Sequence, residues 1–278
     1  MIATNPFFSD LAAALDPVDF ARQLGFDLDP WQRDLLLSAH KRILLLASRQ
    51  VGKSVACAIL ALHHALNNSG SLVLVLSPSL RQSSELFKRI TEFYRDVGRP
   101  VPAETETALT MRLSNGSRIV SLPGNEQTIR GYSGVSLLLI DEAALVDDNL
   151  YRATRPMLAV SDGRLIAMGT PHGCRGWFYS AYTEGDQTWK LYEISAEQCP
   201  RISKAFLKEE RRALGDHWYE QEYLCKWHES ETSLFRSDVI RRAVRDFDEL
   251  DLDLGLDEGT DEPKSLDYCD DDFDLKLD

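Results

Sequence analysis

Residues 43–60 read ILLLASRQVGKSVACAIL, and how this stretch divides decides the fold. The first five residues are uniformly apolar, as in a strand buried on both faces of a parallel sheet. The last residues begin SVACAILALHHAL (54–66), where apolar side chains recur at helical spacing up to a stop signal at Asn67 to Gly70. Between them lies SRQVGKS (48–54), which matches the end of the phosphate-loop pattern G-x-x-x-x-G-K-S/T. Ala47 occupies the place of the first glycine, which is tolerable if that residue needs no positive φ, and Arg49 sits inside the turn. Backbone N–H groups at such a turn and at the helix N-terminus converge on one concavity with partial positive charge, which suits a polyphosphate. Ser48, Arg49, Gln50, Val51, Gly52, Lys53 and Ser54 are therefore the expected nucleotide-binding residues. Gly52 lets the backbone approach, Lys53 reaches the β and γ phosphates, and the Ser54 hydroxyl holds Mg²⁺. Read otherwise, the stretch is a surface turn between strand and helix.

Outward from this stretch the same rhythm continues. LVLVL (72–76), RIVSL (118–122), SLLLI (136–140) and RLIAM (164–168) read as strands, as does WKLYEI (189–194) more weakly. LRQSSELFKRITEFYRDV (80–97) reads as a helix, and two more follow at 203–215 and 216–227. Strands alternating with helices predict an α/β fold with a mostly parallel sheet flanked by helices.

The strand 136–140 leads into Asp141-Glu142, at the strand end where open α/β sheets bind ligands. One carboxylate, Asp141, is placed to hold Mg²⁺ through water; the other, Glu142, suits a base for an attacking water. Alone, an Asp-Glu after a strand is equally a helix cap. A Gly-Lys-Ser about 90 residues upstream makes the catalytic pairing the better reading.

Composition sets the limits. At 278 residues and 44% hydrophobic, the chain can bury a large core. No apolar run approaches the roughly 20 residues of a membrane span, and MIATNPFFSD lacks the pattern of a signal peptide. Five scattered cysteines without a C-x-x-C read as reduced thiols, pointing to a cytoplasmic protein. The net charge of -13 lies entirely in residues 246–278, which hold fifteen acids and two lysines. That tail is expected to be disordered, and the neutral body remains free to carry a basic stripe.

PWQRDLL (30–36), LLLASRQVGKS (44–54), TIRGYSG (128–134), LLLIDEAALV (137–146), AMGTPHG (167–173) and WYEQEYLCKW (218–227), in this order, resemble the ATPase half of a phage terminase large subunit. The resemblance covers nearly all of residues 1–245. It implies a P-loop NTPase of RecA/ASCE-like type (1–198) with an adenine-side N-terminal segment. A small helical lid subdomain (199–245) and the acidic tail (246–278) follow. It implies an ATP- and Mg²⁺-dependent motor that moves double-stranded DNA, acting as a homo-oligomeric ring on a portal or procapsid with a small terminase subunit.

By the same resemblance Arg49 is a cis-acting arginine at the γ-phosphate, and Gln32 reads adenine with Trp31 or Phe20 beside it. Gly169, Thr170 and Pro171 sense the γ-phosphate and couple hydrolysis to movement. Arg130 is a trans-acting finger, a DNA contact or a structural salt-bridge partner. His63, His64 and His172 receive no role; Trp218, Tyr219 and Trp227 are expected to pack the lid. Full-length members continue into an RNase H-like nuclease domain, which this chain reaches only the threshold of. Nuclease activity is therefore not expected from this chain, which reads as a stand-alone ATPase whose nuclease is another chain, as the product of a degraded prophage gene, or as a piece of a longer protein. Three other readings remain open: a superfamily-two helicase, for which SPSLRQSSELF (77–87) resembles a DNA-contact segment, an ATP-binding assembly or regulatory module that does not hydrolyse, and a catalytically spent prophage remnant that merely folds.

Overall fold

The computed structural model describes residues 6–124, 129, 131–185 and 188–229. Residue 130 and the stretch from 230 onward, including the expected tail, lie outside the described residues.

Eight strands form one sheet in the order β3-β4-β5-β2-β6-β7-β1-β8. They are β1 (Arg42–Ala47), β2 (Leu72–Ser77), β3 (Ala103–Glu106), β4 (Thr110–Leu113), β5 (Arg118–Pro123), β6 (Leu137–Ile140), β7 (Arg164–Gly169) and β8 (Lys190–Ile194). From β5 to β8 all neighbours are parallel, while β4 and β3 add an antiparallel edge. The uniformly apolar strands are central because both faces are covered. Ile43 and Leu45 of β1 point into one core with Val73, Val75, Leu137, Leu139, Ile166 and Met168. Leu44 and Leu46 point into the other, with Leu74, Leu138, Ile140 and Leu165. This alternation is the two-residue period of a strand, with apolar side chains at both phases.

The helices divide between the two faces. Over the first core lie α1 (Pro6–Leu15), α2 (Pro17–Gln23), α3 (Pro30–Leu37), α4 (Lys53–Asn67) and α5 (Leu80–Asp96). Over the second lie α6 (Asp148–Thr154) and α7 (Gly176–Thr183), with Trp177 and Phe178 filling it. Alanines at 56, 58, 61 and 65 let α4 approach the sheet closely, and all four are buried. The last helix, α8 (Lys204–Leu224), starts at Ser203, whose hydroxyl accepts from the Phe206 N–H. It breaks at Gly215, whose φ of 76° and ψ of 165° suit glycine, so it is two helices joined at a kink that falls where the sequence divides them.

β3 and β4 were not anticipated. AETE is a largely exposed, charged edge strand, and TMRL beside it buries only Met111 and Leu113, an alternation too short to stand out in the sequence. The sheet and the described residues of 199–229 belong to one compact unit. Among the described residues no helix is long and apolar enough to cross a membrane, and Cys57, Cys199 and Cys225 are free thiols.

A candidate nucleotide site at two strand ends

β1 and β6 end on the same edge of the sheet with β7 between them. Ala47 still pairs with Ile194 of β8, and it is not among the residues with positive φ. The missing first glycine is thus explained, because that position remains strand. The chain then leaves the sheet: the Ser48 N–H donates to Ile194 O at 2.9 Å, and Ser48 is buried. Gln50 (φ 65°) and Gly52 (φ 99°) take the left-handed turn that brings Lys53 to the first position of α4. A side chain at Gly52 would meet Gln32 Nε2 at 2.8 Å, so glycine is required there by both conformation and space.

Lys53 is 8% exposed; its Nζ lies 3.4 Å from Ala47 O and 3.7 Å from Glu142 Oε1. The phosphate-loop lysine and the acidic pair therefore meet across one opening. Asp141 is held by its N–H donating to Leu76 O at 2.8 Å, and its Oδ1 accepts from the Glu142 N–H at 3.0 Å. Burial, reinforced by the Glu142 charge, pushes the Asp141 carboxyl up to about 6, and Lys53 offsets only part of this. Glu142 adopts the left-handed conformation (φ 47°, ψ 48°), uncommon for a residue with a side chain and frequent at functional sites. Gly169, ending β7, lies against this turn: a Cβ there would come within 3.1 Å of Ala143 N. Thr170 and Pro171 follow directly into the cleft.

The cleft itself measures about 670 Å³. Arg49, Gln50, Gly52, Lys53, Ser54 and Glu142 line it, whereas Ser48, Val51 and Asp141, also expected at the site, are buried and not part of its lining. Asp141 and the Ser54 hydroxyl suit a hard divalent cation, and a buried carboxylate raised to about 6 is a group that a cation would stabilise in its charged form. Among the described residues no three His, Cys, Asp or Glu gather as a metal cage. Such a cation would rely on phosphate oxygens and water, the usual habit of Mg²⁺.

Other expected residues lie elsewhere. Gln32 is 4% exposed and sits behind the loop: its Oε1 accepts from the Asp29 N–H at 2.9 Å, and its Nε2 donates to Gly52 O at 3.2 Å. Phe20 belongs to the core, edge-on to His63 at 5.5 Å, and Trp31 packs against the same core. Arg49 Nε pairs with Glu222 Oε2 of α8 at 2.5 Å while the Arg49 side chain remains 68% exposed. Trp218, expected to pack, is 49% exposed on the cleft wall, whereas Tyr219 is buried and Trp227 packs among Phe178, Tyr179 and Tyr182. Gln82 and Arg89 of α5, His172 and Arg201 also reach the cleft. None belongs to a spacing pattern that would single it out, though Gln82 falls in the segment already compared with a helicase DNA contact.

Known proteins share this arrangement. A family profile for the terminase large subunit, T4likevirus-type, N-terminal, matches residues 44–242. The terminase large subunit of Thermus virus P23-45 is 28% identical over 192 residues, covering 62% of this chain and 39% of that protein. The chain thus spans well under half the length of this curated relative. The ATPase domain of the Thermus phage P74-26 large terminase superposes with a TM-score of 0.67 at 20% identity, over 75% of this chain and 97% of that domain. The large terminase of a thermophilic bacteriophage, solved with ADP, gives 0.59 at 14% identity, over 72% of this chain and 54% of that one. These likenesses establish a P-loop NTPase fold, and the match across most of the chain places it in the terminase large subunit family.

Proposed function

We propose that this chain is the ATP-hydrolysing part of a DNA-packaging motor. The observation that carries the reading is the approach of Lys53 Nζ to Glu142 Oε1, 3.7 Å apart in one cleft, with Asp141 next to Glu142 at the end of β6. Family membership supports it, as does the ADP bound to a relative of the same fold.

In this reading the Gly52 and Lys53 N–H groups and the Lys53 ammonium bind the β and γ phosphates. Ser54 and Asp141 would hold Mg²⁺, which when bound draws charge from the β and γ oxygens. Glu142 takes a proton from the water whose oxygen forms the new bond to Pγ, as the Pγ–O bond to the β phosphate breaks. Arg49, once released from Glu222, meets the charge on the γ-phosphate with its planar guanidinium. Gly169, Thr170 and Pro171 touch both the Glu142 turn and the cleft, which suits them to pass loss of the γ-phosphate onward. Gln32 would reach an adenine only by releasing Gly52. Residues 1–198 form the core and 199–245 the lid. The partners are double-stranded DNA, gripped through its backbone and so salt-sensitive, a small terminase subunit and a portal. A ring of copies assembles there in the host cytoplasm, with Arg130 in trans or on DNA.

Phosphate release with Mg²⁺, with and without double-stranded DNA, tests this. Wild type should hydrolyse ATP, and Glu142→Gln should lose about 10²-fold or more in turnover while still binding ATP, the usual scale for a positioned base. Equal turnover in the variant would remove Glu142 from catalysis and favour the non-hydrolysing module.

A further inference from the structure

Two carbonyls of the phosphate loop are held by side chains from outside the loop. Gly52 O accepts from Gln32 Nε2 at 3.2 Å, and Val51 O accepts from Arg201 Nη2 at 2.9 Å. Arg201 is itself fixed by a two-pronged ion pair with Asp29, Nη1 to Oδ1 at 2.9 Å and Nη2 to Oδ2 at 2.8 Å. Asp29 is only 11% exposed at its side chain, and its N–H is the donor that orients Gln32. Asp29, Gln32 and Arg201 thus form one connected clamp around residues 51 and 52. A peptide C=O and the following N–H point in opposite directions. Pulling Val51 O outward therefore turns the Gly52 N–H inward, and pulling Gly52 O outward does the same for Lys53.

We infer that Arg201 is a positioning residue for nucleotide binding, which holds the loop in its phosphate-accepting shape before the ligand arrives. The loop needs such support because Gln50 and Gly52 both have positive φ, and the former has a side chain that disfavours it. A planar guanidinium suits the task, since one face of its fork engages a carboxylate while the same nitrogen reaches a carbonyl. Arg201 also stands two residues before the Ser203 cap of α8, so the clamp ties the loop to the base of the lid. This inference rests on the reading of the loop as a nucleotide site and adds a residue that carries no phosphate-loop motif.

The experiment is titration of the full chain with Mg²⁺–ATP, Mg²⁺–ADP and pyrophosphate, alongside steady-state hydrolysis. Arg201→Ala should weaken all three ligands by about 10- to 100-fold, the scale of a charge-assisted hydrogen bond. KM should rise with kcat within about threefold of wild type, and Arg201→Lys should recover part of the affinity because an ammonium still reaches Val51 O. Asp29→Asn should reproduce the effect in milder form, which keeps the test decisive if Arg201→Ala fails to fold. A loss confined to kcat would overturn the inference by placing Arg201 on the reacting phosphate. Unchanged KM in Arg201→Ala, or in both Arg201→Lys and Asp29→Asn, would reduce the clamp to a surface ion pair. Failure of wild type to bind any of the three would instead defeat the nucleotide reading itself.

Discussion

Helices α4 and α8 both bring residues to the cleft, and they are built differently. Of the fifteen residues of α4, nine are buried, including Lys53, and its alanines press it onto the sheet. Of the twenty-one residues of α8, only Leu207, Tyr219 and Gln221 are buried, and a glycine breaks it midway. Leu207 and Tyr219 share a small cluster with Ala196, apart from the two cores that sandwich the sheet. The polar contacts follow the same division. Lys53 faces Glu142 inside a low-dielectric opening, whereas Arg49 reaches Glu222 through a side chain mostly in water. An element with few buried apolar contacts sits at the low end of local stability, where moving parts are drawn from. The phosphate end is therefore held by the sheet, and α8 is the segment expected to open first.

The sharpest way to break this contrast is to remove one leucine from each side. Leu45→Ala should cost about 2–5 kcal/mol, because β1 is packed on both faces and cannot collapse around the cavity. Leu207→Ala should cost less than half as much in global unfolding, while speeding amide exchange along α8. Thermal melts and hydrogen exchange on both variants check this; equal global losses would make the lid as integral as the sheet.

Asp141 tests the phosphate end from the opposite direction. Its folded pKa of about 6 lies above the ordinary 3.8, so the folded state binds the extra proton between those values. Stability then falls as pH rises from about 4 to about 6 and stays lower above, by up to roughly 3 kcal/mol. Asp141→Asn should raise the melting temperature at pH 8 without divalent cation, give little change at pH 4, and abolish Mg²⁺-dependent hydrolysis. A melting temperature lowered at pH 8 would mean that the carboxylate is well solvated or well paired.

Glu222→Gln should have the smallest effect. The Arg49 side chain is 68% exposed, so the ion pair is worth less than about 1 kcal/mol. Loss of the pair should leave the fold intact and alter ATP turnover by no more than about fivefold. A change of a hundredfold would show that α8 controls the site far more tightly than its sparse packing allows.

Legibility in the sequence follows the same physics. Strands such as LVLVL and SLLLI declare themselves because burial on both faces demands uninterrupted apolar residues. AETE does not, since an exposed edge tolerates charge, and TMRL offers only two buried residues, Met111 and Leu113, to mark its period. The helices at 6–15 and 17–23 carried no expectation either, though Asp16 caps the second with a bond to the Val18 N–H at 2.7 Å. Within the site, Lys53, Ser54 and Glu142 were readable from local motifs around two strand ends. Arg201 was not, because its partners Asp29 and Val51 lie 172 and 150 residues away in the chain. Trp218 was misjudged as a packing residue because helical periodicity does not say which face of a sparsely buried helix meets a core.

By itself, the order of residues determined the parallel α/β sheet, the loop at 48–54 and the acidic pair at 141–142. Each is a local pattern in which burial or backbone conformation restricts the residue types allowed. Only the tertiary structure decided that Gln32 lies behind the loop, that Arg49 leans on Glu222, and that Arg201 clamps Val51. Those contacts join segments remote in the chain through polar side chains, whose partners are set by the packed geometry and leave no periodic trace in the sequence.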